Sequence, residues 1–240
     1  SELLRRAQRT LEQSHESVNG EFRPRYHLCV PSGWLNDPNG FGFYQGRYHL
    51  FYQYHPYAPV WGPMHWGHWS SEDLLHWRVE PVALAPDQPY DAEGCFSGTS
   101  LEADGVFYLV YTGVSKREGD GACVQQQCLA MSRDGIHFEK YAGNPIISSD
   151  MLPPGAAPQD FRDPKVFRDA EGFHLVAASR GNSGGQLLRY SSADMIHWRY
   201  DGVFLEGLGD MAECPDTFAQ DGQTVVVACL MNAYEIGRAS

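Results

Sequence analysis

The amino-acid sequence predicts an all-β protein of the propeller class, with one α-helix at its N-terminal end. Two independent sequence markers repeat with a period of about 60 residues along the chain. The first marker is a glycine that closes a hairpin turn before a strand, and it occurs at Gly46, Gly105, Gly172 and Gly222. The second marker is an S-x-D-x-x-H element, whose aspartates are Asp73, Asp134 and Asp194. A period of this length favours a propeller whose blades each contain four strands.

Residues 1–20 are predicted to form the N-terminal helix, and residues 21–240 a partial β-propeller catalytic domain. The apolar side chains of the helix fall near one face, at Leu4, Ala7, Leu11 and Val18. After Gly20 the sequence changes to short aromatic and β-branched runs separated by turn residues, which is typical of strands. A fourth S-x-D-x-x-H element is not seen before Ser240. We therefore expect about three and a half blades and interpret the chain as part of a longer protein.

Composition narrows the possible partners. The chain has 18 Lys and Arg against 30 Asp and Glu, a net charge of −12, which disfavours binding to nucleic acid. No apolar run approaches the ~20 residues of a membrane helix, and the first residues lack the apolar core of a secretory signal. The six cysteines form no CxxC pair and no zinc-binding spacing, so we expect reduced thiols, a cytoplasmic location, and no metal or cofactor.

The hairpin glycines also point to a site at the centre of the propeller. The residues nine positions before them are Asp37, Phe96, Asp163 and Glu213, so three of the four are carboxylates. Each lies near the start of the first strand of its repeat. In a propeller that strand is innermost, so these acids should converge around the central channel. Acids held close together shift one another's pKa values, and such a cluster is typical of a catalytic site.

A group of carboxylates is suited to glycoside hydrolysis. One carboxylate attacks the sugar or activates water, and a second protonates the leaving oxygen. Five of the six tryptophans lie between Trp34 and Trp77, and an aromatic ring can stack on a sugar. We interpret Trp34 and Trp61, which fall in expected loops, as sugar-binding candidates, and Trp66, Trp69 and Trp77 as blade packing.

Five motifs, in order, carry a resemblance to the invertase family, glycoside hydrolase family 32. They are WLNDPNG (34–40), FYQYHP (51–56), CFSGTS (95–100), FRDPKVF (161–167) and ECPD (213–216). The match extends from about Phe22 to Phe218. The bacterial sucrose-6-phosphate hydrolase branch is the more similar one, because FRPRYHL after the helix, GCFSG and QCLAMSRDGIHFEK resemble that branch. The family usually has Met at the position of Leu35, a change that conserves volume.

The resemblance implies a five-bladed β-propeller followed by a C-terminal β-sandwich that this sequence does not contain. It implies that Asp37 is the nucleophile, Glu213 the general acid/base, and Asp163 the stabiliser of the transition state. It also implies a sugar-binding set, which is Trp34, Leu35, Asn36, Gln53, Trp61, Phe96, Ser97 and Arg162.

The expected activity is retaining hydrolysis of the β-fructofuranosidic bond of sucrose or sucrose 6-phosphate, through a covalent fructosyl-enzyme and without a cofactor. A retaining site holds its two carboxyl groups about 5–5.5 Å apart, and an inverting site about 6.5–9.5 Å apart. Two alternatives stay open: a non-catalytic propeller that binds fructosides, and an inverting, arabinanase-like glycosidase. The partner in each case is a small sugar, and neither the choice between sucrose and its phosphate nor the oligomeric state follows from the sequence.

Overall fold

The computed structural model describes residues 1–17, 20, 21, 23, 24, 26–230 and 233–239. The helix α1 covers Glu2–Ser17, and a single 3-10 turn covers Ser149–Met151. Every other regular element in the described residues is a β-strand. Among these residues, no helix is long and apolar enough to cross a membrane.

The strands form consecutive antiparallel sheets, each built from neighbours in the chain. The first sheet contains β1 (Trp34–Tyr44), β2 (Arg47–His55), β3 (His65–Ser71) and β4 (Trp77–Val79). The second contains β5 (Gly94–Ala103), β6 (Val106–Lys116), β7 (Cys123–Ser132) and β8 (Glu139–Lys140). The third contains β9 (Phe161–Asp169), β10 (Gly172–Gly181), β11 (Gly184–Ser192) and β12 (Trp198–Glu206). The fourth contains β13 (Ala212–Gln220), β14 (Gln223–Leu230) and β15 (Ala233–Ala239).

The first strands of successive sheets contact one another, β1 with β5, β5 with β9, and β9 with β13. This is the arrangement of propeller blades around an axis, with the first strand of each blade innermost. The predicted all-β propeller with an N-terminal helix is therefore confirmed. The three strands described in the fourth sheet agree with the prediction of about three and a half blades.

Both repeated markers are turns. Three of the hairpins have two-residue turns in which both residues have positive φ, at Gln45-Gly46, Asp104-Gly105 and Asp221-Gly222. Such turns match the twist of the strands they join, and the second residue is favourably glycine. In the S-x-D-x-x-H element, Asp73 accepts the backbone N–H groups of Leu75 and His76, and its other oxygen pairs with the His76 ring at 2.7 Å. The copies at Asp134 and Asp194 repeat these bonds.

The helix packs on the first blade through the predicted apolar face. Ala7 and Leu11 are buried against Tyr52, Tyr54 and Trp69, and Leu4 is partly buried in the same cluster. The fourth predicted residue, Val18, lies outside the described residues. Of the tryptophans interpreted as blade packing, Trp66 and Trp69 are buried and Trp77 packs against the same cluster as α1.

Candidate active site

Each innermost strand carries a β-bulge at the corresponding point. Regular pairing is interrupted between Leu35 and Pro38 in β1, between Phe96 and Gly98 in β5, and between Glu213 and Asp216 in β13. In β9, Asp163 and Pro164 together lie opposite the single residue Ala177. A bulge turns side chains away from the regular alternation of a strand. Here it re-aims side chains close to the axis of the propeller.

Strand pairing corrects the equivalence drawn by counting back from the hairpin glycines. Counted along the partner strands, the equivalent residues are Asp37, Ser97, Asp163 and Cys214, each followed by Pro or Gly. Glu213 lies one position earlier, equivalent to Asn36, Phe96 and Arg162. Counting nine residues back from Gly46 gives Asp37 because β1 has a second bulge. Counting nine residues back from Gly172 gives Asp163 because Gly172 lies one residue beyond its turn.

The three acids nevertheless meet. A cavity of about 290 Å³ lies where the first strands of the blades converge. Among the described residues it is lined by Asn36, Asp37, Gln53, Trp61, Phe96, Ser97, Arg162, Asp163, Glu213 and Cys214. The cavity is close to the lower end of the size range of small-molecule sites. Three different blades thus contribute carboxylates to one small polar pocket.

Asp37 reaches the cavity from β1 and is held by a neighbouring blade. The Ser97 hydroxyl donates to Oδ2 of Asp37 at 3.2 Å, and the Asn39 side chain amide lies 3.4 Å from the Ser97 oxygen. These contacts orient the carboxylate but leave the residue exposed to the cavity. An oriented, accessible carboxylate is the geometry that a nucleophile requires.

Asp163 is the most buried of the three acids, with 7% of its surface exposed. Its backbone has a φ of 57°, which is unusual for a residue other than glycine, and its N–H donates to the Thr112 hydroxyl at 3.0 Å. The N–H of Cys214 donates to its Oδ2 at 2.9 Å. Burial raises the pKa of Asp163 to about 6, and the charges of Glu213 and Asp37 act in the same direction. The Cys214 N–H and the Arg162 guanidinium lower that pKa and partly offset the effect.

Arg162 connects the third blade to Glu213 on the fourth. Its Nε and Nη2 donate to Oε1 of Glu213 at 3.2 and 3.0 Å. Its Nη1 donates to Gln125 at 3.2 Å and to Asp160 at 3.4 Å. In the described part of the chain, both of these contacts to Glu213 fall on Oε1, and the Glu213 side chain stays 44% exposed. The guanidinium therefore fixes the position of the carboxyl group without covering it.

The other predicted sugar-binding residues divide into two groups. Asn36, Gln53, Trp61, Phe96, Ser97 and Arg162 line the cavity. Trp61 is 57% exposed, and its ring lies edge-on to Phe96 with 6.1 Å between centroids. Trp34 and Leu35 are not among the described residues that line it. The Trp34 ring N–H donates to the Asn36 side chain at 2.9 Å and so orients a residue that lines the cavity, whereas Leu35 packs in the cluster under α1.

Cys214 also lines the cavity, which the predicted set of site residues does not include. Its thiol lies 3.7 Å from Oδ2 of Asp163. Although part of the residue is open to the cavity, burial and then the charges of Asp163 and Asp37 raise the pKa of the thiol well above its ordinary value. A neutral thiol is a poor nucleophile. The sequence signal that could have indicated Cys214 is its position directly before Pro215, which matches the position of Asp37 directly before Pro38.

A second cavity, of about 260 Å³, continues along the axis beyond the first. The two cavities share Ser97, Asp163 and Cys214, so these residues form the wall between them. Lys165 and Asp216 line the second cavity and form an ion pair at 2.6 Å across β9 and β13. No group of three or more His, Cys, Asp or Glu in the described residues is arranged to hold a metal ion.

Comparison with known proteins identifies the family. The model of the glycosyl hydrolases family 32 N-terminal domain matches residues 27–238. The chain belongs to glycosyl hydrolase family 32. It is 44% identical over 228 residues to a sucrose-6-phosphate hydrolase of Escherichia coli, a match that covers 92% of this chain and 46% of that protein. It is 42% identical to a raffinose invertase of Escherichia coli, over 88% of this chain and 44% of that protein.

Solved structures of family 32 proteins have the same fold. The β-fructofuranosidase BmSUC1 of Bombyx mori matches with a TM-score of 0.86 at 38% identity, over 98% of this chain and 52% of that one. A mutant of that enzyme has been solved in complex with sucrose. The sucrose-6-phosphate hydrolase of Lactobacillus gasseri matches with a TM-score of 0.82 at 30% identity, over 94% of this chain and 46% of that one. The chain thus spans about half the length of the relatives it matches.

Proposed function

We propose that this family 32 chain supplies the catalytic carboxylates of a retaining β-fructofuranosidase that acts on sucrose or sucrose 6-phosphate. The observation that carries the proposal is the meeting of Asp37, Asp163 and Glu213 around one cavity, on strands of three blades. The names of the relatives support the substrate class, since they include sucrose-6-phosphate hydrolases and a raffinose invertase. The cytoplasmic location and the division at residue 20 stay predictions.

In the proposed reaction, the Asp37 carboxylate attacks the anomeric carbon of the fructosyl unit while Glu213 protonates the glycosidic oxygen. The bond from the anomeric carbon to that oxygen breaks, and a fructosyl ester of Asp37 forms. Glu213 then removes a proton from water, which attacks the ester and releases fructose. The Ser97 hydroxyl orients Asp37 for the attack. Arg162 holds Oε1 of Glu213, and Oε2 exchanges the proton in this scheme.

Asp163 has a different role in this scheme. Its carboxylate is buried beside the cavity, and its Oδ2 accepts the Cys214 N–H. With a pKa of about 6, it is mostly ionised at neutral pH. A buried negative charge stabilises the positive charge that develops on the fructosyl ring in the transition state, and it accepts hydrogen bonds from the sugar hydroxyls.

The test of the proposed nucleophile is Asp37→Asn. We expect release of fructose from sucrose and from sucrose 6-phosphate by the purified protein, and a loss of about 10⁴-fold or more in kcat for the variant. The matched control is Asp221→Asn, because Asn is equally favourable in that hairpin turn. An unchanged kcat for Asp37→Asn would refute the assignment of Asp37 as the nucleophile. Binding of fructosides by an unsubstituted protein that releases no fructose would favour the non-catalytic alternative.

Retention is tested separately, by the products formed with methanol as a competing acceptor. A covalent intermediate transfers the fructosyl group to methanol with net retention, so NMR should show methyl β-fructofuranoside from the start of the reaction. Initial release of the α-anomer of fructose, with no transfer, would instead favour the inverting alternative.

A further inference from the structure

Three buried polar side chains of the second blade hold the start of β9. They are Thr112 on β6 and Gln125 and Gln127 on β7, exposed to 0%, 4% and 0%. None of them lines the cavity. We propose that these three residues, named here the inter-blade clamp, are positioning residues that set Arg162 and Asp163 for catalysis. The inference rests on the proposed function of the site.

The clamp bonds fall on three successive residues of β9. Gln125 Oε1 accepts the N–H of Phe161 at 3.1 Å, and Gln127 Nε2 donates to the carbonyl of the same residue at 2.9 Å. Gln125 Oε1 also accepts Arg162 Nη1 at 3.2 Å. Both backbone groups of Phe161 are therefore held by side chains of another blade.

The third clamp residue acts on Asp163. The Thr112 hydroxyl accepts the N–H of Asp163 at 3.0 Å and lies 3.1 Å from Gln127 Oε1, to which it can donate. The N–H is at the bulge, where the backbone of Asp163 has a φ of 57°. This backbone conformation is uncommon for a side chain larger than glycine, so it needs external support. The Thr112 bond supplies that support at the residue whose carboxylate faces the sugar.

The clamp reaches Glu213 indirectly. Arg162 is held by Gln125 on one side and binds Glu213 on the other. A displacement of Gln125 would therefore change the direction of the guanidinium and the place of the proposed general acid. A shift of about 1 Å in a catalytic group can reduce the rate about 100-fold. Hydrogen bonds in a buried network of this kind also favour one rigid arrangement.

Two pairs of variants test the inference. Thr112→Val is nearly isosteric and removes the acceptor for the Asp163 N–H, whereas Thr112→Ser keeps it. Gln125→Leu removes the bonds of Gln125 to Phe161 and Arg162. Gln126→Leu is its control, because Gln126 lies on the same strand with its side chain on the opposite face. Its side chain makes a long bond to the Tyr90 carbonyl, at 3.4 Å. The readouts are kcat and KM for fructose release from sucrose, together with Tm.

Thr112→Val and Gln125→Leu are expected to lower kcat about 10- to 100-fold while KM changes less than about threefold, because the groups they misplace act in the transition state. Thr112→Ser and Gln126→Leu are expected to stay within about threefold in kcat, a contrast that a general loss of stability would not give. Values of kcat within about twofold in folded Thr112→Val would overturn the inference and leave the proposed function intact. If the unsubstituted protein released no fructose, the proposed function would fail and the inference with it. If Gln125→Leu did not fold, the pair at Thr112 would decide.

Discussion

Replacement of Asp163 by Asn is expected to stabilise the protein at neutral pH while it removes catalysis. Burial raises the pKa of Asp163 from 3.8 to about 6, so at neutral pH the folded protein holds a charge in an unfavourable environment. A shift of about two units corresponds to about 3 kcal/mol of stability. Asn keeps the size of the side chain and an acceptor for the Cys214 N–H. For a chain of this length the expected rise in Tm is about 6–12 °C.

The sign of the effect depends on pH. Below the unfolded pKa of 3.8, Asp163 is protonated in the folded and unfolded states, so the two proteins should be equally stable. Between pH 3.8 and about 6 the folded state binds more protons than the unfolded state, and the stability of the unsubstituted protein falls as the pH rises. Above about pH 6 the full advantage of the Asn variant is present.

The assay is urea unfolding of both proteins at pH 3.5 and at pH 7.5, with kcat measured on the same samples at neutral pH. Asp221→Asn is the control, since it removes a carboxylate from an exposed turn. The reasoning is refuted if Asp163→Asn is no more stable than the unsubstituted protein at pH 7.5. It is also refuted if the gain in stability is the same at both pH values, because burial of a charge cannot then be its cause.

Three further predictions concern the packing and the rim of the cavity. Lys140→Met should lower the free energy of unfolding in urea by about 3–5 kcal/mol, because it leaves the fully buried Asp91 without its ion pair at 2.5 Å. An unchanged urea midpoint would contradict this prediction. Gly98→Ala should cost about 1–3 kcal/mol in the same assay, since a Cβ there would lie 2.0 Å from the Val110 carbonyl oxygen, and a stable variant would show that the bulge adapts. Trp61→Ala should raise KM for sucrose about threefold to tenfold with little change in kcat, because the ring is exposed at the cavity; an unchanged KM would mean that the ring does not contact the sugar.

The fold and the place of the site follow from patterns that are local in sequence. Hairpin glycines and S-x-D-x-x-H elements mark turns whose hydrogen bonds form within a few residues, so their period predicts the blades directly. Four of the five invertase-like motifs coincide with the bulges of the innermost strands, and the family that the motifs predict is confirmed. The roles of Asp37, Asp163 and Glu213 stay predictions, whereas their position around one cavity is observed.

The features of the site that could not be predicted from the sequence depend on pairing between strands. A bulge adds one residue to one strand only, so a count along the chain placed Glu213 one position away from its structural equivalents. The inter-blade clamp could not be predicted either, because Thr112 and Gln125 lie more than 35 residues before the motif they hold. Trp34 was expected in a loop, whereas it begins strand β1 and its ring N–H donates to Asn36; its contact with sugar stays a prediction.

The bulges at the axis separate the chemistry of a blade from its architecture. At the same backbone position, successive blades present a carboxylate at Asp37, a hydroxyl at Ser97, a carboxylate at Asp163 and a thiol at Cys214. Pro38, Pro164 and Pro215 follow these residues, where the irregular ladder tolerates a missing backbone donor. One repeated irregularity can therefore carry different functional groups, while the second and third strands of each described sheet pair without interruption.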